Sequence, residues 1–182
     1  MARLEPLPRD KMDPDFAQYF DELVNTGGRI GGPSTAYMRN PQFFKLNQAM
    51  GDAIRGNSLS PVERLIAVLT TVRHFDAPFA WTVQVRQALA AGVARDTVNA
   101  INERRRPQLS QASEIASWEV ADMLAGRRTL DDATYSRALA ALGEQRLVDL
   151  VITVGFFSMV GTTLRAFEID PPPADDPIPL RL

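Results

Sequence analysis

Cysteine is absent from the 182-residue sequence, histidine occurs once, and lysine occurs only twice. Without cysteine the chain has no disulfide, iron–sulfur cluster, thiolate zinc site or thiol nucleophile. The single histidine, His74, excludes a two-histidine metal motif. Lys11 and Lys45 are the two amines available for Schiff-base chemistry, and both lie early in the chain. These absences exclude several kinds of catalysis without pointing to one.

Positive and negative charges are almost balanced, and arginine supplies nearly all of the positive charge. The 20 basic and 22 acidic residues give a formal net charge of −2. This balance argues against a nucleic-acid partner and against a membrane-surface role. The length suits one compact domain that buries its own core. We expect no cofactor, and no metal, because one histidine and scattered carboxylates form no ligand cluster.

One apolar stretch, residues 147–164, approaches the length of a membrane span. It contains Asp149 and several Thr, Ser and Gly residues. A buried core helix or subunit-interface helix is therefore favoured over a membrane span. The N-terminal residues lack the apolar core of a signal peptide, so we expect a cytoplasmic location.

Helix signals dominate the chain, and alternating strand patterns are rare. A capping residue followed by proline is typical of a helix start. Such starts occur at Asp13-Pro14, Asn40-Pro41 and Ser60-Pro61. Apolar residues at helical spacing, with glycines as stops at Gly126 and Gly143, predict an all-α fold of about seven or eight helices. We expect one domain over residues 1–170, followed by a proline-rich tail, 171–182, that lies extended over a surface.

Three conspicuous features favour a structural interpretation. Glu63 stands three residues after Ser60, which is the spacing of a capping box. The glycine-rich stretch 27–34 lacks the known phosphate-loop patterns, so we expect a mobile or site-covering loop. The run Arg104-Arg105-Arg106 lacks interleaved aromatics, which favours a solvated or salt-bridged surface over nucleic-acid contact.

His74 is the one side chain whose ordinary pKa lies near neutrality, which makes it a candidate proton shuttle. It also stands at a predicted helix end, in the sequence Arg73-His74-Phe75-Asp76. There its ring could equally bond a last-turn carbonyl or the Asp76 carboxylate. Both interpretations stay open on the sequence.

The stretch from about Ser58 to Ile101 resembles the carboxymuconolactone decarboxylase and alkyl hydroperoxidase D-like superfamily. The resemblance rests on Arg73-His74-Phe75-Asp76-Ala77, on Phe79-Ala80-Trp81, and on Ala88 and Gly92. It implies an all-helical subunit with an antiparallel helix pair at its core. It also implies a homo-oligomer, a trimer or hexamer, with sites for a small-molecule substrate near the subunit contacts.

The family's chemical signature is almost entirely replaced in this sequence. That signature is a Glu, then Cys-x-x-Cys or Tyr-Glu-Trp, then a His four residues after the second Cys or the Glu. The matching positions here are Leu65, Ala77, Ala80 and Gln84, and of the local signature only Trp81 remains. Thiol peroxidase chemistry needs a reactive thiolate and is excluded. None of the replacements exchanges a proton near neutral pH.

Three functions remain open: an enzyme, a binding protein without catalysis, and a structural oligomer. We prefer a cofactor-free lyase, decarboxylase or isomerase acting on a small oxygenated acid or lactone, because small or polar replacements enlarge a pocket. The predicted substrate-binding residues are Leu65, Ala80, Trp81 and Gln84. Trp81 would form an apolar wall, Gln84 would make polar contacts, and an arginine would hold a carboxylate. His74, or a residue of a neighbouring subunit, would supply the acid or base.

Overall fold

The computed structural model describes residues 2–171 and 178–181, and within them it contains helices but no strand. A short 3-10 turn, Arg9–Lys11, precedes eight α-helices. In chain order these are α1 Pro14–Asn25, α2 Ser34–Tyr37, α3 Pro41–Arg55, α4 Pro61–His74, α5 Pro78–Ala90, α6 Arg95–Asn102, α7 Ala112–Arg127 and α8 Asp132–Ala166. The all-α prediction is confirmed. The short helix α2 was not predicted, since its first residue fell in the expected glycine loop.

The predicted helix starts are confirmed as side-chain caps. The side chains of Asp13, Asn40 and Ser60 each accept a hydrogen bond from the backbone N–H three residues further on. At Ser60 the capping box is complete, because the Glu63 carboxylate accepts the Ser60 backbone N–H in return. These caps fix where α1, α3 and α4 begin.

Helix α4 lies at the centre of the molecule and packs against α5, α6, α7 and α8. Its residues from Leu65 to Arg73 are all buried. One core cluster joins α4 to α5, α6 and the end of α8, and a second joins it to α7 and the middle of α8. A third cluster holds α1, α2 and α3 together, with the rings of Phe16 and Phe44 edge to face at 5.3 Å.

Helix α8 consists of two helical segments that meet at Gly143. This residue has φ 75° and ψ 169°, which is outside the helical region. The sequence predicted a stop at this glycine, and the position is confirmed. By length and composition α8 is apolar enough to cross a membrane, and 44% of its most apolar window is buried inside this fold. Helices α4 and α7 cover the buried part.

Residues 178–181 return to the region of α4, α5 and α6. Ile178 is only 6% exposed and belongs to the first core cluster. This part of the tail is therefore packed into the fold at Ile178, whereas the sequence suggested an extended path over a surface. Residues 172–177 and 182 lie outside the described residues, and the proposed domain boundary after residue 170 stays a prediction.

Candidate functional site

A cavity of about 580 Å³ opens between the glycine loop and helices α3, α4, α5 and α8. Volumes of this size are typical of sites for small organic molecules. The apolar part of its wall consists of Ile54, Leu65, Val68, Phe79, Val83, Phe156, Phe157, Val160 and Leu164. The glycine loop contributes Arg29 and Gly31 to the lining, so it forms part of the cavity wall, and the expectation that it covers the site stays a prediction.

Helix α5 presents one face to the cavity and the other to the core. Ala80, Val83, Gln84 and Gln87 line the cavity, and their spacing places them on one side of the helix. Trp81 is fully buried on the other side. The structure therefore brings together Leu65, Ala80 and Gln84 from the predicted site.

The indole of Trp81 is already engaged by another part of the chain. Its Nε1 donates a hydrogen bond of 2.9 Å to the carbonyl oxygen of Ile178. Trp81 lies outside the cavity lining and supports α5 from behind. Its substrate-binding role stays a prediction, and in this geometry it would act through the position of α5.

Three arginines converge on the polar end of the cavity. They come from the glycine loop (Arg29), the end of α3 (Arg55) and the first turn of α4 (Arg64). Asp52 forms ion pairs with Arg29 and Arg55, the former at 3.5 Å. Arg64 has no ion pair within the described part of the chain. The group therefore carries more positive than negative charge.

Partial burial and the nearby charge of Arg55 both affect the pKa values of Arg29 and Arg64. Burial lowers the pKa of Arg29, and the nearby charge of Arg55 lowers it further, against an opposing effect of Asp52. Burial likewise lowers the pKa of Arg64, again with a contribution from Arg55. Arginine remains protonated despite such shifts, so the repulsion between these groups is not relieved by losing a proton.

Above Gly51 the chain leaves a niche between two of these guanidinium groups. A Cβ built at Gly51 would lie 3.2 Å from Arg29 Nη2 and 3.4 Å from Arg55 Nη1. The nearest carbon of the Phe156 ring would lie 3.9 Å away. A methyl group on residue 51 would touch two cationic nitrogens and the start of the apolar wall, so the lack of a side chain at Gly51 leaves room between the two guanidinium groups. This is the arrangement that suits the head group of an anion with an apolar body.

The described lining residues include no carboxylate, histidine, lysine or tyrosine. Their charged members are arginines, and their other polar members are Ser34, Asn47, Gln48, Gln84 and Gln87. Asn47 is 7% exposed, and its Oδ1 has no hydrogen-bond partner. Among the residues placed in the structure, no group of three or more His, Cys, Asp or Glu side chains could hold a metal ion.

His74 lies at a different, smaller cavity of about 150 Å³ that shares no lining residue with the first. Its Nε2 bonds Asp122 Oδ1 of α7 at 2.8 Å. The sequence suggested Asp76 or a last-turn carbonyl as its partner, and this was wrong because Asp76 is paired with Arg73 and Arg104. A contact to α7 depends on tertiary packing, which spacing alone does not reveal. A catalytic role for His74 stays a prediction.

The structural interpretations of the other two features are supported. Glu63 completes the capping box and also pairs with Arg146 of α8. The three consecutive arginines form ion pairs with carboxylates at the surface. The partners are Asp76 for Arg104, Glu103 for Arg105 and Glu119 for Arg106.

These helices, their order and the cavity beside α5 define a protein of the alkyl hydroperoxidase D-like (AhpD-like) fold. No family profile matches the sequence, and no curated protein is significantly similar to it. Solved structures do match. A protein of unknown function from Agrobacterium tumefaciens, a candidate antioxidant defence protein AhpD, aligns over 76% of this chain and 97% of its own, with a TM-score of 0.69 and 15% identity.

A second solved structure covers still more of the chain. It is an uncharacterised peroxidase-related protein with an AhpD core from Ralstonia eutropha JMP134. It aligns over 94% of this chain and 92% of its own, with a TM-score of 0.65 and 15% identity. At this identity the likeness establishes the fold, and the fold implied by the sequence resemblance is confirmed.

Sequence reasoning identified one side of the site but not its charged end. Leu65, Ala80 and Gln84 could be found because they occupy positions of a known motif. Arg29, Arg55 and Arg64 belong to three separate elements, so no local pattern groups them. The sequence analysis expected only that some arginine would hold the carboxylate of a substrate, and it did not indicate which one.

Proposed function

We propose that this protein binds a small amphipathic carboxylate in the cavity beside α5. The observation that carries the proposal is the convergence of Arg29, Arg55 and Arg64 on one end of the cavity, at the edge of an apolar wall. A carboxylate there would accept charge-assisted hydrogen bonds from the guanidinium groups. Its hydrocarbon body would contact the side chains of α5 and α8.

Binding without catalysis is the function that the lining residues support best. The arginines can hold and orient an anion, but they cannot accept a proton at neutral pH. Gln84 and Asn47 can donate or accept hydrogen bonds without changing their charge. A lyase, decarboxylase or isomerase activity stays a prediction, and any proton transfer would need a group from outside the described lining.

The test compares two ligands that differ in charge but share the same chain length. Octanoate and 1-octanol are titrated into the protein by isothermal titration calorimetry. We expect octanoate to bind more tightly, because the guanidinium groups attract its carboxylate. In Arg64→Gln the affinity for octanoate should fall by roughly tenfold, the size of one lost charge-assisted hydrogen bond. The affinity for octanol should be unchanged.

Two further variants separate the niche from the general charge of the protein. Gly51→Ala keeps all three arginines but places a methyl group in the niche, so it should weaken octanoate binding. Arg86→Gln removes an exposed charge of α5 that lies outside the cavity lining, and it should leave the affinity unchanged. Equal affinities for octanoate and octanol, or an equal effect of Arg64→Gln and Arg86→Gln, would refute the proposal.

A further inference from the structure

A groove beside α4, α5 and α6 holds residues 178–181 by their main-chain atoms. Trp81 Nε1 donates to the carbonyl oxygen of Ile178 at 2.9 Å. Asn102 engages the segment twice. Its Nδ2 donates to the carbonyl oxygen of Pro179 at 2.8 Å, and its Oδ1 accepts the backbone N–H of Arg181 at 3.0 Å.

A fourth hydrogen bond closes the far end of the segment. Arg73 Nη2 donates to the carbonyl oxygen of Arg181 at 2.7 Å, while its Nε donates to the Asn102 carbonyl oxygen at 2.8 Å. The guanidinium group of Arg73 is thereby fixed between the segment and the end of α6. All four hydrogen bonds join a side chain of the groove to a main-chain atom of the segment. The groove therefore holds the backbone of the segment through side chains and not through pairing with a β-strand.

With the segment in place, the groove side chains are buried. Trp81 is 0%, Asn102 2% and Arg73 7% exposed. Without the segment, the indole N–H, the Asn102 amide and one Arg73 nitrogen would lose the partners described above. Buried polar groups are almost always paired in folded proteins, since an unpaired one is destabilising. The groove is thus complementary to a peptide backbone.

The side chains of the segment alternate between the core and the surface. Ile178 is buried in the first core cluster, and Leu180 packs partly against the same cluster. Pro179 and Arg181 are exposed, and Arg181 forms an ion pair of 2.6 Å with Glu103. The groove therefore accommodates an apolar residue at the first and third positions and a cation at the fourth.

We propose that this groove is a peptide-binding site for sequences of the Ile-Pro-Leu-Arg type, occupied in this chain by its own residues 178–181. A free peptide of the same sequence binds the groove when the chain's own segment is displaced. The contact between Trp81 and the segment is a tertiary contact, because Trp81 and Ile178 are 97 residues apart in sequence. This proposal is independent of the carboxylate site.

Trp81 can report directly on the occupancy of the groove. The sequence contains only two tryptophans, so Trp118→Phe leaves Trp81 as the single indole fluorophore. In that background Ile178→Asp places a charge in the buried pocket of Ile178. We expect a red-shifted emission and at least a twofold rise in acrylamide quenching, with unchanged helical circular dichroism. Pro179→Ala is the matched control, because it keeps the carbonyl group and should leave the emission unchanged.

The decisive step adds a peptide to the Ile178→Asp protein. Acetyl-Ile-Pro-Leu-Arg-Leu should restore the original emission, while the same peptide with Asp in place of Ile should not. Unchanged emission in Ile178→Asp would overturn the docking of the segment. A red shift that the peptide fails to reverse at millimolar concentration would overturn the peptide-site proposal. Ile178→Ala serves the same test if the Asp variant loses its helical signal.

Discussion

Glu63 shows how one side chain can join three helices. Its carboxylate caps α4 through the Ser60 backbone N–H, pairs with Arg146 of α8, and accepts a hydrogen bond from Ser113 of α7. The cap was predictable because Ser60 and Glu63 lie three residues apart in the sequence. The contacts to Ser113 and Arg146 were not predictable, because they depend on how distant helices pack.

The acidity of Glu63 makes stability depend on pH. Burial raises its pKa, but hydrogen bonds from Arg146, Ser113 and Ser60 outweigh this and lower the pKa from 4.5 to about 2. Because the pKa is lower in the folded state, the charged carboxylate stabilises the fold above pH 4.5, and this contribution is lost as pH falls through about 2. Glu63→Gln should reduce the free energy of unfolding at pH 6 by about 2 kcal/mol.

The measurement is urea unfolding of wild type and Glu63→Gln between pH 2 and 6. The variant should also show a flatter dependence of stability on pH across this range. Glu144→Gln is the control, because Glu144 is exposed on α8 and should leave both stability and its pH dependence unchanged. A loss of stability in Glu63→Gln that is the same at every pH would contradict the assignment.

At the scale of elements, the two glycines predicted as helix stops in the last two helices differ in what they do. Gly143 was predicted as a helix stop and is one, since its φ of 75° is unfavourable for other residues. Gly126 was predicted to end α7, and this was wrong. The helix continues to Arg127, and Arg128 adopts the left-handed conformation instead. Gly126 instead leaves room for the His74 ring, because an added Cβ would lie 2.8 Å from His74 Cε1.

Two glycines of α8 provide a matched pair for testing the kink. Neither Gly143 nor Gly155 has an atom within 4 Å of an added Cβ, but only Gly143 has a positive φ. Gly143→Ala should therefore lower the free energy of unfolding by about 2 kcal/mol through backbone strain alone. Gly155→Ala should be neutral or stabilising by up to about 1 kcal/mol. Equal effects of the two substitutions in urea unfolding would exclude strain at the kink.

At the scale of the whole molecule, the fold was predictable from caps, periodicity and a motif-level resemblance, whereas the site was only half predictable. Helix positions depend on local chemistry, which the sequence shows directly. The cavity depends on which side chains α3, α4 and α8 bring together. The same limit applies to the surface, where α3 and α8 leave large apolar side chains exposed. These are Leu46, Met50, Val148, Val151 and Ile152.

We propose that this apolar surface joins copies of the chain into the homo-oligomer that the resemblance implies. Val148, Val151 and Ile152 lie three and four residues apart along α8, which is the spacing of one helix face and suits packing against another helix. Ile152→Lys should lower the mass measured by sedimentation velocity to that of a 20.1 kDa monomer. Val24→Lys, at an exposed apolar residue on α1, should keep the wild-type mass. A monomeric wild type would contradict the proposal.

The central position of α4 also affects how the chain reaches its fold. This helix packs most extensively against α7 and α8, which begin only at Ala112 and Asp132. Contacts between segments so distant in sequence form slowly, because a long loop must close first. Until they form, α4 exposes an apolar helix to other unfinished chains. Aggregation during refolding would therefore begin at α4, and the helices before it would not protect it.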